Sequence, residues 1–263
     1  MKKQLVLILT IVLTLCACGA KPSPAAPPEE LVVFAAASLK ETLSEIGENY
    51  KAVAPDVTLT FNFDSSGTLK TQIEEGADCD LFLSAAPKQM NALQDAGLID
   101  EATRLDLLEN KVALVVAEGN PKGGTGFDDL AARLTAGDIL LAMGNSDVPV
   151  GQYTQRIFDH YGLDEAALAA RGALTYGGNV KEVVTQVAEA AADCGVVYAT
   201  DAFSAGLAVV DTATAGMCGQ VIYPAAVVKN AAHGAAAGAF LRYLEGGDAA
   251  EVFEAVGFTA LRR

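Results

Sequence analysis

The sequence predicts an α/β fold with layered helices and largely parallel strands. Three observations carry this. Apolar strand-like runs alternate with amphipathic helical runs from residue 31 to the end. The first run, Leu31 to Ala36, is apolar throughout, as a strand covered on both faces must be. Several strands end in a short turn rich in Ser, Gly, Pro or Asn that opens directly into a helix. No internal repeat is present.

The elements follow in order. A helix is expected from Leu39 to about Val53, with Ser38 and Glu41 spaced as a capping box. Val57 to Phe63 alternates as a half-covered strand, and a helix from about Gly67 stops at Gly76. Asp80 to Ser84 is a short strand, and Pro87 opens the next helix. Lys111 to Ala117, Ile139 to Ala142, Ala173 to Tyr176, Gly195 to Ala199 and Gln220 to Val228 read as strands. Helices are expected near 151–161, 179–192, 231–245 and 248–256.

The N-terminal residues have a different character. Lys2 and Lys3 precede the apolar run Leu5 to Leu15, as in a secretory signal. That run is shorter than the roughly 20 apolar residues of a membrane-spanning helix. Leu15-Cys16-Ala17-Cys18 resembles a bacterial lipoprotein box, which implies acylation of Cys18 and a membrane anchor. Residues 19–29 form a proline-rich spacer.

Composition excludes some classes of function. Residues 1–17 hold two lysines and no acid, so the remainder carries 16 basic and 33 acidic residues, a net charge of −17. Such a surface repels nucleic acid. Cys79, Cys194 and Cys218 fit no zinc spacing, and they read as small buried residues, with a Cys194–Cys218 bond as the alternative. His160 is expected to end a helix and His233 to sit near the start of one. Nucleophile elbow, phosphate loop, zinc helix and dinucleotide fingerprint are all missing from the sequence. The expectation is a binding protein and not an enzyme, with no cofactor.

The helix openings point to chemistry. Ser38, Ser65-Ser66-Gly67, Val148-Pro149-Val150-Gly151 and Gly177-Gly178-Asn179 each precede a helical run. A helix start leaves N–H groups unpartnered and carries a partial positive charge. It is therefore a ready site for an anion, and a serine there can accept one bond while donating its proton. Taken singly, each turn is better explained as ordinary capping.

Six separated blocks add to this reading. They are Val33 to Leu39; Ser65 to Leu69 with Gln72 to Glu74; Ala77 to Ala85; Val148 to Tyr153; Gly195 to Ala202; and Tyr223 to Val228. In this order they resemble the molybdate-binding protein family, the extracytoplasmic receptors of ABC-type molybdate importers. The resemblance covers essentially the whole chain after the spacer.

It implies a two-lobed, type II periplasmic-binding-protein-like fold, each lobe a mixed, mostly parallel sheet flanked by helices, with the ligand in the cleft between them. Residues 30–112 and 224–263 would form lobe I and 113–223 lobe II, with chain crossings near Lys111–Val116 and Tyr223–Val228. The implied oxyanion contacts are the hydroxyls of Ser38, Ser66 and Tyr198 and the backbone N–H groups of Val150 and Val180. Ser65 is the alternative to Ser66 if the register slips by one. Gly67 stands where many relatives carry another serine. The implied ligand is molybdate or tungstate, held without direct metal ligands, and sulfate is the alternative. The implied partners are an ABC permease and, through the lipid, a membrane, with the protein acting as a monomer. Asp64 and Asp147 lie beside these positions in sequence, and both carboxylates are expected to point away from the anion.

Overall fold

A computed structural model describes residues 29–261. The proposed signal, the lipoprotein box with Cys18 and nearly all of the spacer lie outside the described residues. Two sheets organise the chain. The first holds β1 (Glu29–Ala36), β2 (Val57–Asp64), β3 (Leu81–Leu83), β4 (Leu105–Asn110), β10 (Val221–Val227) and β11 (Thr259–Ala260), in spatial order β11-β4-β10-β3-β1-β2. The second holds β5 (Val112–Val116), β6 (Leu141–Gly144), β7 (Leu174–Gly177), β8 (Cys194–Tyr198) and β9 (Ala208–Thr212), in order β7-β6-β8-β5-β9.

The helices are α1 (Lys40–Tyr50), α2 (Ser66–Glu74), α3 (Pro87–Asp95), α4 (Phe127–Ala136), α5 (Pro149–Tyr161), α6 (Glu165–Ala170), α7 (Val180–Ala188), α8 (Ala199–Ala205), α9 (Ala215–Cys218), α10 (Gly234–Leu244) and α11 (Gly247–Ala255). This is the two-lobed α/β architecture expected from the sequence.

Parallel pairing is confined to the helix-connected strands, β2-β1-β3 and β7-β6-β8. The strands that carry the chain between sheets pair antiparallel: β4 and β10 in the first, β5 and β9 in the second. Lys111 alone separates β4 from β5, so Val112 already pairs with Tyr198 in the second sheet. The return falls between β9 and β10, earlier than the expected crossing near Tyr223–Val228, since Val221 already pairs with Asn110 in the first sheet.

β1 shows why the first run had to be apolar. Leu31, Val33 and Ala35 face the main core, while Phe34 faces a second cluster with Leu69, Ile73, Phe82, Met90 and Leu93. Burying a large apolar side chain stabilises by roughly 1.5–3 kcal/mol. The second cluster pins α2 and α3 to the sheet, and so fixes where α2 begins.

Several expectations needed revision. β4, β9, α4, α6 and α8 were not foreseen from the sequence. The helix placed at 151 begins at Pro149, the usual position for a helix-opening proline. The Ser38–Glu41 capping box does not form. Ser38 lies inside a 3-10 turn (Ala37–Leu39) leading into α1, and the start of α1 has no side-chain cap. Long-range partners win both groups: Tyr223 takes the Ser38 hydroxyl and Lys181 takes the Glu41 carboxylate. Cys79, Cys194 and Cys218 are buried and free. His160 lies in the last turn of α5, and His233 precedes α10, where its N–H and Nδ1 both meet Asp80.

Candidate functional site

The ends of β1, β2, β6 and β8 converge on one small, nearly closed cavity with about 10 Å³ of free space, room for little more than one water molecule. It is lined by Ala36, Ala37, Ser38, Asp64, Ser65, Ser66, Ala85, Val148, Pro149, Val150, Val180 and Tyr198. All five positions singled out from the sequence, Ser38, Ser66, Val150, Val180 and Tyr198, are therefore in one place. They come from both sheets. Ser38 and Ser66 follow strands of the first, and Val150, Val180 and Tyr198 follow or end strands of the second.

Local sequence explains each opening. Ser65 is the N-cap of α2, accepting from the Thr68 N–H at 3.1 Å and lying 2.9 Å from the Thr68 hydroxyl. Ser66 is thus the first helical residue, and its N–H has no intrahelical partner. Its Oγ accepts from the Ala85 N–H at 2.9 Å, which leaves its proton for the cavity. Both neighbouring serines line the space, with Ser65 spent on the cap.

At α5, Pro149 takes the first helical position and Val150 the second. Gly151 makes the sharp entry possible, because a Cβ there would overlap the carbonyl oxygens of Gly144 and Asn145. At α7, Asn179 caps the Glu182 N–H at 3.1 Å and Val180 is the first helical residue. Neither Val150 nor Val180 needs its side chain in this role, since the orphan N–H is the donor.

Tyr198 ends β8 with 1% of its surface exposed. Its hydroxyl is buried and has no hydrogen-bond partner. The Tyr223 phenol is close enough to perturb it, but no hydrogen bond of proper geometry joins the two. Burial first, then the surrounding phenols and Asp201, push the Tyr198 pKa well above the ordinary 10. The group stays a neutral donor.

The acids behave differently from one another. Asp147 does not line the cavity, as expected. Asp64 does line it. Its Oδ1 is held by the Ser65 N–H at 2.7 Å and by Asn179 Nδ2 at 3.5 Å. Asp201 is a fully buried acid that sequence reasoning missed. Lys181 Nζ lies 2.8 Å from Asp201 Oδ1 and 2.7 Å from Glu41 Oε2, joining the two lobes. Burial raises the Asp201 pKa to about 6 against the lowering effect of Lys181. No sequence signal marks this trio, whose members lie far apart along the chain.

The seam between lobes is tight. A Cβ on Gly67 would overlap the Asp147 carbonyl oxygen. The serine missing at Gly67 thus coincides with a close approach of backbones. Among the described residues, no group of three or more His, Cys, Asp or Glu could hold a metal ion.

A cavity of hydroxyl and backbone N–H donors, with Asp64 at its edge, between two sheet-based lobes is the layout of a solute-binding protein. The chain belongs to the bacterial extracellular solute-binding protein family, which it matches over residues 31–259. It is 35% identical to ModA of Escherichia coli over 88% of this chain and 89% of that protein. It is 34% identical to YvgL of Bacillus subtilis, provisionally named an ABC transporter substrate-binding lipoprotein, over 96% of this chain and 95% of that one. The fold superposes on the periplasmic molybdate-binding protein of Azotobacter vinelandii with a TM-score of 0.75 at 22% identity, covering 87% of this chain and 98% of that one. Members of this family bind and deliver solutes outside the cytoplasm, and the chain is not an enzyme.

Proposed function

We propose that the chain captures a tetrahedral oxyanion, molybdate or the closely similar tungstate, and hands it to the permease of an ABC-type importer. The observation that carries this is the buried Tyr198 hydroxyl, unpartnered at a cavity of other free donors. An orphaned buried hydroxyl costs roughly 1–3 kcal/mol, a cost that a bound acceptor removes. Ser38, Ser66 and Tyr198 supply O–H groups, and Val150 and Val180 supply N–H groups. The lobes, residues 30 to about 111 with about 220–263 and the stretch between them, close over the anion in a monomer.

Bonds from neutral donors to a charged acceptor are worth roughly 1.5–3 kcal/mol each. Five of them give roughly 8–15 kcal/mol, which covers the roughly 8–12 kcal/mol of micromolar to nanomolar binding before association costs are subtracted. The acidic surface is tolerable because exposed charges beyond about 8–10 Å are screened at physiological salt. Lys181 offsets the one buried acid nearby. The same donors suit both ions, so separating molybdate from sulfate rests on the size to which this nearly closed cavity opens around the anion.

Thermal melting in the presence of each oxyanion tests the reading. Molybdate at about 1,000 times its dissociation constant should add roughly 4 kcal/mol of stability. A large shift with sulfate and none with molybdate or tungstate would transfer the assignment to sulfate. The anchor is tested separately: if Cys18 carries the lipid, Cys18→Ala should move the protein from the membrane to the soluble fraction.

A further inference from the structure

The two cavity serines are held in different ways. Ser66 Oγ accepts from a backbone N–H, so the direction of its own proton is settled at once. Ser38 Oγ lies 3.0 Å from the Tyr223 hydroxyl, and either oxygen could be the donor in that pair alone. The direction is set one step further back. The Lys111 N–H can only donate, and it meets Asn110 Oδ1 at 2.8 Å. The amide is thereby oriented with Nδ2 toward Thr200 Oγ1 at 2.9 Å and the Tyr223 hydroxyl at 3.2 Å.

Those two contacts use both Nδ2 protons. The Tyr223 oxygen therefore accepts from Asn110. Its proton goes to Ser38 Oγ, because the reverse direction would leave that buried proton without an acceptor. Ser38 in turn has its own proton left for the cavity. We propose that Asn110 and Tyr223 are positioning residues that lock the Ser38 hydroxyl as a proton donor to the bound oxyanion. The proposal rests on the reading of this cavity as an oxyanion site.

The placement suits the role. Asn110 ends β4 at the first crossing, Tyr223 lies on β10 just after the return crossing, and Thr200 opens α8 in the other lobe. Asn110, Thr200 and Tyr223 are 3%, 2% and 1% exposed, so water does not compete for these bonds. Burial raises the Tyr223 phenol well above its usual range, which keeps the proton it must donate.

A locked donor also selects. An oxyanion that turns an O–H toward Ser38 finds a second proton and no acceptor. Hydrogen phosphate is such an ion. Freeing Ser38 to rotate lets it accept, so the preference for molybdate over inorganic phosphate should narrow.

Calorimetric titration of the full chain with molybdate, and then with inorganic phosphate, tests this in a double-mutant cycle. Tyr223→Phe should weaken molybdate binding roughly tenfold. In a Ser38→Ala background the same substitution should change affinity by less than about twofold, because its only route of action is gone. The molybdate-to-phosphate preference should fall in Tyr223→Phe alone. Equal losses in both backgrounds would show that Tyr223 merely ties strands together, and would overturn the proposal. So would an unchanged affinity in the single variant. If Tyr223→Phe does not fold, Asn110→Ala carries the same cycle with the same two outcomes. A wild-type chain that binds no tetrahedral oxyanion would overturn the site itself, a result separate from failure of the cycle.

Discussion

Tyr198 and Tyr223 are two buried phenols whose rings meet edge to face, with centroids 5.6 Å apart. Tyr198 ends β8 in the second sheet, and Tyr223 lies on β10 in the first. Burial raises both well above the ordinary phenol value. Yet Tyr223 has partners on either side, Ser38 and Asn110, whereas Tyr198 has none. The difference separates a phenol that acts through Ser38 from one left free to meet a ligand itself. A satisfied buried hydroxyl stabilises the resting fold, and an orphaned one is a cost that persists because something else removes it.

The comparison breaks most visibly at the seam. Gly67→Val should force the α2 start away from Asp147 and part the Tyr198 side of the cavity from the Ser38 side. Overpacking of this kind costs roughly 1–3 kcal/mol, so titration should show molybdate affinity falling by up to about a hundredfold. The Tyr223–Ser38–Asn110 bonds lie largely within the first lobe and should survive. Tyr198→Phe comes next. Affinity should fall roughly tenfold or more, while the unliganded protein melts no lower than wild type, because no bond is lost. Tyr223→Phe should do the reverse to the unliganded protein, destabilising it by about 1 kcal/mol in a melting experiment.

The smallest effect concerns Asp201, the acid that perturbs both phenols. Its folded pKa of about 6 lies above the ordinary aspartate value of 3.8. The native state therefore holds this proton more tightly than the unfolded chain. This group adds stability as pH falls from 6 toward 3.8 and withdraws it as pH rises through 6. Asp201→Asn should remove that part of the pH dependence, of order 1–3 kcal/mol, in urea unfolding at pH 5 and pH 7. Identical pH slopes for the two proteins would show that Lys181 keeps the carboxylate ionised throughout.

Much of the architecture was legible because it is local. Pro149, Ser65 and Asn179 mark helix starts by rules that act within four residues, and the strands of β1, β6 and β8 announce themselves as apolar runs. β4 was missed because Asp106 is exposed and Glu109 half-buried, so its apolar pattern is broken. α6 is a six-residue helix of mostly alanine, too short and too uniform to show a period. The site divides in the same way. The N–H donors follow from helix starts, whereas Tyr198 entered only through family resemblance, since a tyrosine ending a strand looks like any core residue. Asn110, Tyr223 and Asp201 were invisible because their partners lie far away in sequence, as with Ser38 and Tyr223, 185 residues apart. The failed Ser38–Glu41 box has the same origin: a local rule lost to contacts that no local pattern records.

The most direct measurement is a crystal structure of the chain grown with molybdate, with the metal located by its anomalous scattering. The account predicts one metal centre in the cavity between the sheets, with its oxygens in hydrogen-bond reach of the Tyr198, Ser38 and Ser66 hydroxyls and the Val150 and Val180 N–H groups. A metal centre found elsewhere, or one in the cavity with the Tyr198 hydroxyl still unpartnered, would contradict it.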